Sequence, residues 1–274
     1  MLRQVPISNG SLNVYEAGQG APVLFVHGFP LDHTMWRAQL EHFAKSHRVI
    51  APDLRGFGQS AAAGSQATTI DAVRPLTMEA HADDLADLLD AMEVHEPIVF
   101  CALSMGGYVG WQFLRKFPER VRLLIQCDTR SGADNAMGAE VRRKMAAQVM
   151  ERGSTMVAEQ MPTKLFGPET MTGRLDVVEE VKRMILNTPA ATIAGAQLGM
   201  AERPDMGDWL KTIHTPTLMI CGEHDALTTV EMMKADAERV PGARLVIIPR
   251  AGHMAPMERS AAVNAAIAEI LAQQ

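Results

Sequence analysis

The segment from residue 98 to residue 107, Ile-Val-Phe-Cys-Ala-Leu-Ser-Met-Gly-Gly, restricts the possible folds of this chain more than any other. Its first four residues are apolar and partly β-branched, which is typical of a strand buried on both faces. Three glycines then occupy positions 106, 107 and 110. Because glycine destabilises a helix interior by about 0.5–1 kcal/mol relative to alanine, this density requires a reason. Close packing of a helix on a sheet provides one, so the segment predicts a strand, a tight turn and a helix.

The side chain of Ser104 is predicted to stand at the apex of this turn. A sharp bend from strand to helix holds the serine oxygen clear of the backbone, where a base and a substrate can reach it. Such a bend brings the residues two positions before and after the serine close together, and Ala102 and Gly106 are both small. Two interpretations remain open on this stretch alone. Ser104 is a nucleophile, or it caps the N-terminus of the helix, a position that serine favours.

Apolar strand-like runs alternate with helical patterns through most of the chain. This alternation predicts an α/β fold with a mostly parallel sheet covered by helices on both faces. The Asn9-Gly10 pair, between two alternating segments, predicts an antiparallel hairpin near the N-terminus. The predicted buried strands cover residues 22–26, 48–51, 98–101, 121–127, 216–221 and 244–248, and the helices between them include residues 36–43 and 78–92.

The pattern changes between residues 131 and 208, where no strand-like run occurs. Helices are predicted here at residues 140–151, 155–160, 176–186 and 190–200. We therefore predict two domains, an α/β core formed by residues 1–130 and 209–274 and a helical cap formed by residues 131–208. The cap segment holds nine of the 19 methionines. Methionines at helical spacing commonly form a core, and methionine also suits an adaptable apolar wall over a binding pocket.

Charge and composition argue against several classes of partner. The formal net charge is −6, and the longest basic run is Arg142-Arg143-Lys144, which argues against a nucleic acid or an anionic membrane as partner. No apolar run reaches 18 residues, so no membrane span is predicted. Residues 1–6 lack the apolar core of a signal peptide, and we expect a cytoplasmic protein.

The three cysteines, Cys101, Cys127 and Cys221, each fall at or near the end of an apolar strand-like run. Their odd number and the lack of a Cys-x-x-Cys spacing argue against a disulfide framework or a zinc site. We therefore predict that all three are buried thiols.

Two further residues follow predicted strands on the C-terminal side of Ser104. Asp225 follows the strand at residues 216–221, and His253 follows the last strand. Loops after parallel strands lie at one edge of the sheet, where ligands bind, so these side chains are predicted to converge on Ser104. Taken singly, Asp225 is also compatible with a solvated turn and His253 with an exposed loop. Together, the order serine, acid, histidine favours a nucleophile with its base and orienting acid.

This arrangement resembles the α/β-hydrolase family over nearly the whole chain. The motif around the serine is usually Gly-x-Ser-x-Gly in that family, and Ala102 replaces its first glycine here. Among family members the chain is most similar to small serine esterases, 3-oxoadipate enol-lactonases and cofactor-free haloperoxidases or perhydrolases. The resemblance rests on His27-Gly28-Phe29-Pro30, residues 53–60, the turn at Ser104, residues 222–225 and Gly252-His253.

The resemblance implies a role for each of these residues. Ser104 would be the nucleophile, His253 the base and Asp225 the acid, with the backbone N–H groups of Phe29 and Met105 forming the oxyanion hole. The helical segment falls where the family places its cap, and the chemistry requires neither a metal nor an organic cofactor.

Two other residues receive secondary roles from the same resemblance. Asp128 follows the strand at residues 121–127, and some family members take their acid from that position, so it is the alternative to Asp225. His27 would brace the oxyanion loop through hydrogen bonds.

A serine nucleophile forms an acyl-enzyme, which excludes the dehalogenases and epoxide hydrolases of this fold that need an aspartate there. We predict a carboxylesterase that prefers short acyl chains, because Phe29 crowds the acyl side and the cap closes over the rest. The alternative is an enol-lactone hydrolase, which needs a cation such as Arg130 turned inward for the substrate carboxylate. Perhydrolase or haloperoxidase activity, carbon–carbon bond hydrolysis and a non-enzymatic ligand receptor are further alternatives. The expected partner is a small ester or lactone, and the sequence leaves the oligomeric state open.

Overall fold

The computed structural model describes residues 1–63 and 66–273; residues 64, 65 and 274, which belong to the predicted core domain, lie outside the described ranges. Eight strands form one sheet in the order β1-β2-β4-β3-β5-β6-β7-β8. The strands are β1 (Leu2–Ile7), β2 (Gly10–Ala17), β3 (Pro22–Val26), β4 (Arg48–Pro52), β5 (Ile98–Leu103), β6 (Val121–Cys127), β7 (Thr217–Gly222) and β8 (Arg244–Ile248).

Strand direction divides the sheet into an antiparallel edge and a parallel body. β1 and β2 form the predicted hairpin, and β2 also pairs antiparallel with β4. From β4 to β8 every pairing is parallel. All residues of β3, β5 and β7 are buried, as expected for strands covered by helices on both faces. The prediction of a mostly parallel sheet flanked by helices is therefore confirmed.

The helices predicted from the sequence are present, and four others were not predicted: α6 (Pro162–Leu165), α7 (Pro168–Gly173), α10 (Val230–Arg239) and α11 (Ala255–Glu258). Helices α6 and α7 were not predicted, because each begins with a proline and is too short to show a helical period. No helix in the described ranges is both long and apolar enough to cross a membrane. The helices are α1 (Arg37–Phe43), α2 (Met78–Ala91), α3 (Met105–Lys116), α4 (Ala136–Arg152), α5 (Ser154–Gln160), α6 (Pro162–Leu165), α7 (Pro168–Gly173), α8 (Leu175–Asn187), α9 (Ala190–Ala201), α10 (Val230–Arg239), α11 (Ala255–Glu258) and α12 (Ser260–Leu271).

The glycines of α3 allow this helix to lie directly against the sheet, as the sequence predicts. A Cβ atom on Gly106 would lie 2.6 Å from the carbonyl oxygen of Val26 in β3. On Gly107 it would lie 2.5 Å from the hydroxyl of Thr129. The size of the residue at position 106 is therefore limited by the neighbouring strand β3 as well as by the turn at Ser104.

Helices α4 to α9 form one insertion between β6 and β7, within the predicted limits of residues 131 and 208. The insertion packs on the segment that precedes α2. The N–H of Leu76 donates to the carbonyl of Gly195 in α9 at 2.9 Å, and a Cβ atom on Gly199 would lie 1.9 Å from the carbonyl oxygen of Leu76. α9 therefore approaches the core backbone at a distance that only glycine permits. The division into two domains stays a prediction.

All three cysteines are buried free thiols, as predicted. Burial, reinforced by the negative charge of Asp225, raises the pKa of the Cys221 thiol. A neutral, buried thiol is a poor nucleophile, so Cys221 is not a candidate nucleophile.

His81 in α2 is a buried histidine that lowers the stability of the fold at acidic pH. In the described part of the chain neither of its ring nitrogens has a hydrogen-bond partner. Burial, reinforced by the positive charge of Arg55, lowers its pKa from 6.5 to about 3. The folded protein therefore keeps His81 neutral at pH values where the unfolded chain binds a proton. Unfolding takes up that proton, so stability decreases as the pH falls from 6.5 towards 3.

We expect His81→Leu to remove this pH-dependent loss of stability. Each pH unit below 6.5 costs about 1.4 kcal/mol through one such group. The free energy of unfolding of His81→Leu minus that of the wild type should therefore rise by about 2 kcal/mol between pH 7.5 and pH 5. Urea denaturation of both proteins at the two pH values measures this difference. A difference that does not change with pH would contradict a neutral, buried His81.

Candidate active site

Ser104 joins β5 to α3 in a strained backbone conformation. Its φ is 52° and its ψ is −113°, a combination that costs a non-glycine residue about 1–3 kcal/mol. Hydrogen bonds to residues at the end of β6 help to hold it there. The N–H of Ser104 donates to the carbonyl of Cys127 at 3.0 Å, and the hydroxyl of Thr129 donates to the carbonyl of Ser104 at 2.8 Å. The serine side chain makes no capping hydrogen bond with α3, so the capping interpretation is wrong.

Asp225 and His253 meet at the carboxyl edge of the sheet. The Nδ1 atom of His253 lies 2.8 Å from Oδ2 of Asp225. The other carboxylate oxygen accepts the N–H groups of Leu227 and Thr228 at 2.8 and 3.0 Å, and the Thr228 hydroxyl donates to Oδ2 at 2.5 Å. Asp225 is 5% exposed, so it is not the solvated turn residue that the sequence also allowed.

The surroundings of Asp225 favour its charged form. Burial alone would raise its pKa, but the interaction with His253 and the hydrogen bonds of Thr228 lower it below the usual value. An ionised carboxylate on Nδ1 fixes the proton of the imidazole on that nitrogen. The Nε2 atom of His253 is thereby left as a proton acceptor.

Asp128 lies beside this pair but in a different state. It is fully buried, and one oxygen accepts the N–H of Gly222 at 2.7 Å. Its other oxygen has no hydrogen-bond partner among the described residues. Burial and the negative charge of Asp225 raise the pKa of Asp128 well above its usual value. The carboxyl group that contacts His253 is that of Asp225, while the surroundings of Asp128 favour its neutral form.

The loop after β3 is held by His27, as the resemblance implies. The Nδ1 of His27 lies 2.9 Å from the carbonyl of Gly28, and the N–H of Leu54 donates to Nε2 at 2.9 Å. Because Nε2 accepts a hydrogen bond and Nδ1 faces a carbonyl, the ring is neutral with its proton on Nδ1, and burial lowers the pKa of His27 accordingly. In residues 1–63 and 66–273 the backbone N–H groups of Phe29 and Met105 donate to no protein acceptor. Both donors are available to a ligand.

Glu258 is part of this site, although the sequence analysis does not identify it. The side chain is 1% exposed. Its two oxygens accept the N–H of Gly252 at 2.8 Å and the N–H of Gly167 at 2.9 Å. Glu258 thus ties the residue before His253 to the helical insertion. In the sequence Glu258 is recognisable only as a carboxylate five positions after His253. The groups that it binds are backbone N–H groups, which every residue except proline has, so they leave no sequence motif.

A cavity of about 460 Å³ lies between the sheet edge and the insertion. Ser104, His253 and Phe29 contribute to its wall from the core. Four of the nine methionines of the predicted cap line the opposite side: Met137, Met145, Met161 and Met200.

The same cavity has a charged side. Arg130, Arg142 and Lys164 line it together with Asp134. Arg130 and Arg142 both form ion pairs with Asp134. The Arg130 side chain is therefore part of the wall that contains Ser104, the position that an enol-lactonase would require.

Two clusters in the described chain bring potential metal ligands within 4.8 Å of one another: Asp32, His33 and Asp53, and Asp128, Cys221 and Asp225. In the first cluster, Asp53 already accepts hydrogen bonds from the ring and the backbone of His33. In the second, Asp225 is bound to His253 and Thr228. Neither cluster therefore presents a free set of ligand atoms.

Comparison with known proteins agrees with this architecture. An esterase from Thermogutta terrifontis, solved with malate bound, is 42% identical, matches 100% of this chain and 98% of its own, and has a TM-score of 0.91. The 3-oxoadipate enol-lactonase 2 of Acinetobacter baylyi is 27% identical over 95% of this chain and 93% of its own. The enol-lactonase of Burkholderia xenovorans LB400 shares the fold, with 23% identity over 98% of this chain and 100% of its own and a TM-score of 0.88. The family model for the alpha/beta hydrolase fold matches residues 21–260, and this chain therefore belongs to the α/β-hydrolase family.

Proposed function

We propose that this hydrolase cleaves carboxylic esters of short acyl chains through an acyl-enzyme on Ser104. The observation that carries the proposal is the 2.8 Å hydrogen bond between His253 and a buried, ionised Asp225, in a cavity whose wall contains both Ser104 and His253. Both observations support Ser104 as nucleophile, His253 as base and Asp225 as orienting acid, the set that serine hydrolases use.

In the proposed reaction, Ser104 Oγ attacks the ester carbonyl while His253 Nε2 accepts the hydroxyl proton. Asp225 holds the imidazole in the required tautomer and stabilises the cation that forms. His253 then returns the proton to the leaving alcohol, which departs as the acyl-enzyme forms. Water attacks the acyl group with His253 again as base, and the acid leaves Ser104 with its proton restored.

The oxyanion of each tetrahedral intermediate would be bound by the backbone N–H groups of Phe29 and Met105. Both are unpaired within the described chain, and Met105 begins α3, so the positive end of the helix dipole adds to the stabilisation. The His27 hydrogen bonds to Gly28 and Leu54 hold the Phe29 loop in place. Such preorganised donors typically contribute about 3–4 kcal/mol to transition-state stabilisation.

Chain-length selection would come from the helical segment of residues 131–208, acting as a cap. The cavity holds about 460 Å³, a volume typical of small-molecule sites. Phe29 from the core and Met145, Met161 and Met200 from the insertion line it. Long acyl chains would have to displace these side chains, whereas short chains fit beside Ser104.

We expect p-nitrophenyl esters of two to about six acyl carbons to be hydrolysed with a higher kcat/KM than esters of ten carbons or more, because the cavity limits chain length. A series of p-nitrophenyl esters from acetate to palmitate measures this dependence. Met161→Ala removes part of the cavity wall and enlarges the cavity, so it should move the preferred acyl-chain length to longer chains. Exposed Met232 on α10, outside the cavity lining, gives the control Met232→Ala, which should keep the original optimum. A preference of the wild type for long chains would contradict the proposed role of the cavity.

Enol-lactone hydrolysis is the second candidate function. The observation that favours it is the place of Arg130 in the cavity wall, where a cation can meet the carboxylate of an anionic lactone. The relationship to enol-lactonases supports it as well. A kcat/KM for a carboxylated enol-lactone far above that for every simple ester would favour this reaction as the main activity. The same triad and oxyanion hole would carry it.

A further inference from the structure

The charged side of the cavity has an excess of positive charge. Arg130, Arg142 and Lys164 line it, and Asp134 is the acidic residue in the lining. Arg203 lies directly behind, with its side chain 3% exposed and paired with Asp134. Three guanidinium groups therefore surround one carboxylate, and the cluster keeps a net charge of about +2 beside the site of ester cleavage.

Asp134 organises this cluster. Arg203 donates to its two oxygens at 2.8 and 3.1 Å, and Arg130 and Arg142 bind the same oxygens. Burial alone would raise the pKa of Asp134, but the hydrogen bonds from Arg203 and Arg142 lower it far below its usual value. The carboxylate stays charged, so the arginines remain in fixed positions before any ligand enters.

Arg203 and Arg130 differ in how fully their donors are used. Arg203 also donates to the carbonyls of Gly132 and Met200 at 2.8 Å, and its guanidinium carbon lies 4.3 Å from the ring centre of Tyr108. It is a structural residue. Arg130 donates one hydrogen bond, to Asp134, and its buried Nε has no partner in the described part of the chain.

An arginine in this state is suited to a carboxylate ligand. A buried donor without a partner costs about 1–3 kcal/mol, so the ion pair with Asp134 leaves the Arg130 guanidinium incompletely satisfied. The planar guanidinium matches a carboxylate in geometry as well as in charge. The Arg130 side chain is 25% exposed and lines the cavity, so a ligand in the cavity can reach it.

We propose that Arg130, with Arg142 beside it, forms a carboxylate-binding subsite, and that the preferred substrates are short esters whose acyl chain ends in a free carboxylate. This inference rests on the proposed function, because it places the ester at Ser104 and the carboxylate at Arg130. Half-esters of short dicarboxylic acids have this form. The subsite selects for charge, whereas the apolar wall selects for length.

Monoethyl glutarate and ethyl pentanoate have the same acyl chain length, and only the first carries a carboxylate. We expect the wild type to hydrolyse the half-ester with a kcat/KM at least tenfold higher, mainly through KM. Arg130→Met should reduce this ratio at least tenfold, and Arg130→Lys, which keeps the charge without the planar fork, should retain part of it. Exposed Arg143, on α4 but outside the cavity lining, gives the matched control Arg143→Met, which should keep the ratio.

Binding of glutarate, measured by isothermal titration calorimetry, tests the subsite without catalysis. The dissociation constant should rise at least tenfold in Arg130→Met and should not change in Arg143→Met. Hydrolysis of both esters with equal kcat/KM, or no binding of glutarate by the wild type, would overturn the subsite and leave the proposed function standing. Arg130-dependent binding of glutarate without hydrolysis of either ester would support the subsite and overturn the proposed function.

Discussion

Replacing Ser104 by alanine is expected to lower kcat/KM for p-nitrophenyl butyrate by a factor of about 10³ or more, as removal of the nucleophile does in other serine hydrolases. The substitution deletes only Oγ, which makes no capping hydrogen bond with α3. His253, Asp225 and the oxyanion donors stay in place, so the loss reports the covalent step itself. Steady-state kinetics with the purified variant measure it.

The fold of this variant should not change, because alanine fits wherever the serine side chain does. Circular dichroism and the thermal midpoint of Ser104→Ala should therefore match those of the wild type. Ser8, exposed near the β1–β2 turn, provides the control, and Ser8→Ala should keep full activity. Full activity in a folded Ser104→Ala protein would remove the basis of the proposed mechanism.

The second large effect concerns the two neighbouring aspartates. Asp225→Asn is expected to lower kcat by about 10³–10⁴-fold, because an amide no longer holds the proton of His253 on Nδ1 and the wrong tautomer faces the serine. Asp128→Asn should change kcat less than about threefold, since the surroundings of Asp128 already favour its neutral form and asparagine preserves the acceptor for the Gly222 N–H.

Each variant is the control for the other, because both remove one ionisable carboxyl group from the same buried region. Comparison of the two kcat values under identical conditions tests which carboxyl group acts on His253. A larger loss in Asp128→Asn than in Asp225→Asn would assign the acid to the strand β6 position and contradict the hydrogen bond seen between Asp225 and His253.

The parts of the structure that the sequence predicted correctly depend on local patterns. The central strands are apolar runs bounded by turns, and the Asn9-Gly10 turn and the glycines after Ser104 have conformational requirements of their own. Ser104, Asp225 and His253 could be placed at one sheet edge because each follows a strand of a parallel sheet. That inference needs only strand order and direction.

Other features depend on contacts between segments far apart in the chain, and the sequence did not predict them. Glu258 binds the backbone of Gly167, 91 residues away, and such a backbone partner leaves no mark in the sequence. The direction of Arg130 is set by Asp134 and by the position of the insertion. Helices α6 and α7 are too short for a periodic pattern, and their prolines reveal only where they begin.

The most direct measurement of the central claim is the site of a covalent adduct. A p-nitrophenyl alkylphosphonate mimics the tetrahedral intermediate and leaves a stable phosphonyl group on an active serine. Intact-mass spectrometry should find one phosphonyl group per chain, with release of one p-nitrophenol and loss of ester hydrolysis in the same proportion. Peptide mapping should place the group on Ser104, and the Ser104→Ala variant should stay unlabelled. Labelling at another residue, or full hydrolysis by a completely labelled protein, would contradict Ser104 as the nucleophile.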